Sequence, residues 1–295
     1  MSAPSPLRLA SVAILCAIPW LLALVPAGAA TLHVVIATDI GANDIGGDML
    51  FDASELAQLV AANVPRDQVQ IVLVGQGPGE RVDRNAILRA IYGLKVQPED
   101  TVFFYHGGHG AFNTNTDAYG RPYGTYAVFS GSASILYQSE IRGAIARMRP
   151  RLSVVALDCC NSLRPIPTPP LAPAKQVPVP PTVVSPLFDE LFFKPSGTLV
   201  LESSKPGEYA FVKPTLVGPG GTKLYQGSLF AGSFRGVLAN SNDRFGWNDV
   251  IGRTQRFVTD GFRNLVRSGQ MSLQGAGEPV NQTDQTLTPV VFALR

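Results

Sequence analysis

The stretch LSVVALDCCNS, residues 152–162, decides how this chain is read. Its first six residues form an apolar, β-branched run without amphipathic alternation, the pattern of a strand covered on both faces in a parallel sheet. It ends in Asp158 and two adjacent cysteines, in a sequence with only three cysteines in all. Similar runs occur earlier as TLHVVIAT (31–38), VQIVLV (69–74) and DTVFFYH (100–106). Between them lie helical patterns: SELAQLVAANV (54–64) with Ser54 as a cap, DRNAILRAIYGL (83–94), and SEIRGAIARM (139–148) with Ser139 as a cap. Strand alternating with helix predicts an α/β fold, a doubly wound, mostly parallel sheet with helices on both faces.

Composition then shifts. Residues 164–186, RPIPTPPLAPAKQVPVPPTVVSP, are too rich in proline for helix or central strand and read as an extended surface loop. Beyond it come a strand at GTLVLESS (197–204), helices around 227–238 and 247–266, and a last apolar run, TPVVFAL (288–294). The organisation is a leader (1–29), a first region (30–163), the proline-rich loop (164–186), and a second region (187–295) that completes the same domain. In the leader, Arg8 precedes an apolar core and Ala27 and Ala29 stand in A-x-A arrangement, as in a secretory signal peptide. The expected location is secreted or periplasmic, with no membrane attachment after the leader is removed. The 24 basic and 22 acidic residues form no run of like charge, so no nucleic-acid footprint is present.

Removing the leader takes Cys16 with it and leaves Cys159 and Cys160. Neighbouring cysteines close no loop, so no disulfide framework exists. A vicinal redox pair remains one reading. Zinc bound by His106, His109, Cys159 and Cys160 is disfavoured, because adjacent cysteines in extended chain point apart; the expectation is no metal. The third reading is nucleophilic. In open α/β sheets chemistry gathers at the carboxyl ends of the strands. DTVFFYH runs into GGHGAF and LSVVALD into CCNS, so adjacent strands would bring His109 and a cysteine to one rim. A thiol needs such a base to ionise, and a bare N–H among the glycines around His109 can hold an oxyanion. His33, inside the first strand, reads as a packed core residue.

VFFYHGGHG, followed some fifty residues later by VVALDCCNS, resembles the catalytic half of caspase-like cysteine peptidases, particularly metacaspases and their bacterial relatives. The resemblance implies a caspase-like three-layer α/β/α sandwich. It implies His109 as catalytic histidine and Cys160 as nucleophile, with Cys159 in the small-residue place. Gly110 and Cys160 match the oxyanion-hole donors, and Asp158 the aspartate of a pocket for a basic P1 side chain. LVLESSKPGEYAF and GSLFAGSFRGVL are similar to the small-subunit strand and helix of that family. Gly107 stands where metacaspases often have serine, and Asn161 and Leu163 replace the family's His and Gly. The implied activity is a cysteine endopeptidase acting on protein or peptide substrates, with self-cleavage after Arg164 or Lys175 in the loop. No cofactor is required for that chemistry. Calcium is a candidate activator, and Asp39, Asp44, Asp48 and Asp52 are candidates either for the basic pocket or for such an ion.

Overall fold

The computed structural model describes residues 29–76, 81–162, 180–217, 223–239, 242–270, 274–275, 278–279, 282–292 and 294–295. Residues 1–28, Arg164 and Lys175 lie outside the described residues. No helix among the described residues is long and apolar enough to cross a membrane.

The four apolar runs of the first region are strands β1 (Leu32–Thr38), β2 (Val69–Val74), β3 (Thr101–Gly107) and, later in the chain, β7 (Leu152–Asp158). β3 and β7 are buried at every position, as their uninterrupted apolar sequence demands. With β8 (Gly197–Glu202) and the last strand, β13 (Thr288–Phe292), they form one six-stranded sheet in the order β13-β8-β7-β3-β1-β2. All pairings are parallel except β13 with β8 at one edge.

Side-chain alternation along these strands feeds two cores. Val34, Ile36, Phe103 and Val154 point to one face, against helices α1 (Gly46–Ala61), α5 (Leu229–Leu238) and α6 (Trp247–Arg267). Val35, Phe104 and Val155 point to the other, against α2 (Arg84–Tyr92) and α3 (Gln138–Met148). The result is a mixed α/β fold with helices on both faces of a mostly parallel sheet.

Two local expectations need correction, and one sheet was not anticipated. Ser54 is not a cap: α1 begins at Gly46, because Asp48 and Asp52 take hydrogen bonds from the backbone of Gln226, Gly227 and Ser228, a tertiary support that local pattern does not carry. Nor is Ser139, since α3 begins at Gln138 and the Tyr137 N–H donates to Glu140 Oε2 (3.1 Å). Between β3 and α3 the chain builds an unforeseen antiparallel sheet of β4 (His109–Thr116), β5 (Pro122–Val128) and β6 (Ile135–Tyr137). A short helical segment, α4 (Pro186–Phe188), continues as a π-helical turn to Phe193 beyond the proline-rich loop. Two small hairpins, β9 (Leu216–Val217) with β10 (Lys223–Leu224) and β11 (Gln274–Gly275) with β12 (Glu278–Pro279), complete the element order.

Candidate active site

β3 and β7 are neighbours, and their register pairs Gly107 with Asp158. Gly108 N–H donates to Asp158 O (3.1 Å), so the two strands stay joined to the point where both chains leave the sheet. His109 and Cys160 each stand two residues past that last pair, on one rim. The chain reverses at Gly108 and His109 opens β4; Phe112 N–H then donates to Ser162 O (3.0 Å), tying β4 to the segment that follows Cys160.

His109 is buried to 9% exposure, and its Nε2 lies 3.1 Å from Asp44 Oδ1. If Nε2–H donates to this carboxylate, Nδ1 becomes the basic ring atom. Cys160 is half-buried, and its Sγ donates to Ala210 O (3.6 Å). Burial pushes its thiol up to about 11, with the negative charges of Asp158 and Asp44 adding to the shift. The resting thiol is therefore protonated at neutral pH. Asp44 thus acts on both members of the pair: it is hydrogen-bonded to the imidazole and close enough to raise the thiol.

Cys159 points the other way. It is 1% exposed within the core beneath β4 and α3, and burial raises its thiol well above the ordinary range. Its carbonyl accepts from Ser203 Oγ (3.2 Å) and Ser204 Oγ (3.1 Å). Asn161, fully buried, donates its N–H to Glu208 O (3.0 Å) and to Ser204 Oγ (3.1 Å). The loop after β8 therefore clamps both neighbours of Cys160 and leaves that side chain at the rim.

Gly110 packs directly on Cys159. A Cβ there would lie 2.5 Å from Cys159 Sγ and 2.8 Å from Tyr126 O, so only glycine fits. Strand alternation turns the Gly110 N–H to the same side as that of Phe112, which faces the residues after Cys160. That is the direction an oxyanion donor requires.

Asp158 is enclosed on the opposite face of the sheet. Its Oδ2 accepts from Tyr105 Oη (2.9 Å) and from Ser228 Oγ, while burial raises its carboxyl above the usual range. Asp52 beneath it is paired with Arg235 and accepts from Ser228 N–H (2.7 Å); burial still carries it to about 7, and Asp158 contributes to that rise. Asp48 accepts from Gln226 N–H (3.1 Å) and Gly227 N–H (2.9 Å) and is likewise raised by burial. Gly227 has φ +72°, and a Cβ there would collide with the Asp52 carboxylate. Asp52 and Asp158 thus share one arginine, while Asp48 rests on backbone N–H groups.

Of the four early acids, Asp39 accepts from Ser130 N–H (2.7 Å), Asp44 pairs with His109, and Asp48 and Asp52, both on α1, support the Gln226–Ser228 backbone. They do not converge, and among the described residues no group of three His, Cys, Asp or Glu is arranged to hold a metal ion. His106 is fully buried, its Nδ1 on Ala37 O (2.8 Å), and burial holds it below the usual imidazole range. His33 is the expected core residue, buried between Gln70 Oε1 (2.9 Å) and Asp100 Oδ2 (3.0 Å).

The segment that follows β8 was not legible as part of the site. Phe211 O accepts from Leu229 N–H (2.9 Å), and Lys213 N–H donates to Gly227 O (2.9 Å). Tyr209 N–H and Phe211 N–H donate to the side chains of Gln282 (2.7 Å) and Gln285 (3.2 Å). The odd-numbered residues of 209–213 therefore turn their backbone groups toward the protein. The even-numbered ones turn theirs the opposite way, where Ala210 O meets the Cys160 thiol.

No protein family and no curated protein was found to match this chain.

Proposed function

We propose that the chain is an exported, caspase-like cysteine endopeptidase. The observation that carries this reading is the parallel pairing of β3 with β7, which brings His109, Cys160 and the Gly110 N–H to one rim beside the outward edge of segment 209–213. An extended peptide pairing with that edge, as strands are added to sheets, presents a carbonyl to Cys160. The sandwich with helices on both faces is compatible with the same family.

In the proposed reaction the Cys160 proton passes to His109 as the carbonyl is approached, and the sulfur forms the new S–C bond. Backbone N–H groups of Gly110 and Cys160 receive the oxyanion. Collapse of the tetrahedral adduct breaks the C–N bond, and the proton on His109 leaves with the amine. Water, deprotonated by His109, then hydrolyses the thioester and returns the proton to sulfur. With its thiol pushed up to about 11 by burial, Cys160 becomes nucleophilic as its proton passes to His109.

Preference for a basic P1 residue rests on the match of Asp158 to the family's pocket aspartate, with Asp48 and Asp52 grouped near it; burial raises all three carboxyls, and a cation brought beside them would favour their ionised form. Of the two loop candidates for self-cleavage, Lys175 is the better, because Arg164 precedes Pro165, whose ring nitrogen has no N–H to offer the cleft.

The half-buried, protonated thiol favours a second reading, a caspase-like scaffold without turnover. A fluorogenic peptide panel varied at P1, with and without calcium, separates them when combined with a peptidyl acyloxymethyl ketone. Hydrolysis after Arg or Lys with stoichiometric labelling of Cys160 is expected. Labelling no faster than that of the unfolded chain would leave only the scaffold.

A further inference from the structure

We propose that Gln282 and Gln285, on the segment between α6 and β13, are positioning residues of the substrate cleft. The inference rests on the peptidase reading. Both side chains are buried, at 8% and 0% exposure, although glutamine is ordinarily a surface residue. Gln282 grips one residue twice: Oε1 accepts from Tyr209 N–H (2.7 Å) and Nε2 donates to Tyr209 O (2.9 Å). This reproduces, with a side-chain amide, the two bonds that a neighbouring strand would make. Gln285 spans two segments, accepting from Phe211 N–H (3.2 Å) and donating to Ser203 O (2.9 Å).

These bonds end on elements that touch the nucleophile. Ser203 Oγ donates to Cys159 O, and Ala210, between the two gripped residues, gives its carbonyl to Cys160 Sγ. The segment that carries them is anchored to α6, where Gln255 Nε2 donates to Gln285 O (3.2 Å), Gln255 Oε1 accepts from Leu287 N–H (2.5 Å), and Arg263 pairs with Asp284 (2.8 Å), between the two glutamines. A rigid helix thus holds two amides, the amides hold the inner edge of segment 209–211, and the outer edge is presented at a fixed distance from Cys160. Among the described residues no strand pairs with Tyr209, so without that grip a peptide would have to order the segment on binding. Neither glutamine touches the peptide.

The test compares the full chain with Gln282→Met and Gln285→Met variants, singly and together. Methionine keeps the length of the side chain and removes its hydrogen bonds. Cys160 is alkylated with iodoacetamide, which needs no cleft, and with a peptidyl acyloxymethyl ketone, which does. Amide exchange is followed at Tyr209 and Phe211. The expected result is faster exchange at both amides and a loss of about tenfold or more in the peptidyl rate for the double variant, with iodoacetamide unchanged within roughly twofold. In turnover the loss appears in KM rather than kcat. Equal losses with both reagents would reduce the glutamines to general scaffold and overturn the inference, as would unchanged peptidyl labelling. If the wild-type chain shows no preference for the peptidyl reagent, the peptidase reading itself falls and the inference with it.

Discussion

His109 Nε2 stands 3.1 Å from Asp44 Oδ1, joining the first residue of β4 to the loop that leads into α1. In the proposed dyad the loop acid orients the imidazole so that its other nitrogen meets the thiol. Replacing Asp44 with Ala should lower kcat by about tenfold to a hundredfold while KM stays within a factor of about two, since the cleft edge is untouched. Steady-state kinetics on one peptide decide it. A variant with wild-type kcat would remove Asp44 from the proton path.

Cys160→Ala should abolish turnover and any cleavage within the proline-rich loop. Cys159→Ala should retain most activity and cost about 1–2 kcal/mol, because it removes one buried sulfur from a packed core. Denaturant melts and peptide hydrolysis on both variants separate nucleophile from packing residue. The reverse pattern of activities would exchange their roles.

Gly110→Ala places a methyl group against Cys159 and the Tyr126 carbonyl. Relief requires β4 to move away from β7, so the expected destabilisation is about 1–3 kcal/mol with a larger loss of kcat than of binding. Cys159→Ala in the same chain removes the sulfur conflict while leaving those with the residue-159 Cβ and the Tyr126 carbonyl, and so should restore part of the stability. Full additivity of the two changes in a double-mutant cycle would contradict the contact.

Two groups give pH-dependent signatures. With the folded Cys160 thiol near 11, iodoacetamide should react slowly at pH 7 and accelerate as pH rises toward 11, whereas an ordinary thiol accelerates through about 8.5. A rate plateau already reached by pH 8 would show an activated resting thiolate.

Asp52 titrates near 7 in the folded chain and near 4 when unfolded. The folded state holds the proton more tightly, so this contribution is present below about pH 4 and is lost as pH rises toward 7, at no more than about 1.4 kcal/mol per pH unit. Asp48 and Asp158, also raised by burial, act in the same direction. Asp52→Asn should flatten the slope of unfolding free energy between pH 4 and 7, although losing the Arg235 pair lowers stability overall. An unaltered slope would place the titration elsewhere.

What residues 152–162 determined unaided was a buried strand with unequal cysteines after it. A run of apolar residues can only be satisfied by cover on both faces, and the two-residue period sends Cys159 into the core while Cys160 stays at the rim. The bounds of the strand at 69–74 were legible too, although as the edge strand it is partly exposed rather than covered on both faces, and α6 was legible to within one residue. Tertiary structure alone decided the rest. Asp39, Asp44, Asp48 and Asp52 look alike in sequence, yet one meets an imidazole and another an arginine carried by α5, far along the chain. Sheet β4–β5–β6 mixes polar and exposed positions and leaves no period to read. Segment 209–213 acquires its backbone partners from Gly227, Leu229 and two glutamine side chains, so its form depends on contacts that no local pattern encodes. Burial periodicity is a property of neighbours along the chain; which acid meets which base is a property of neighbours in space.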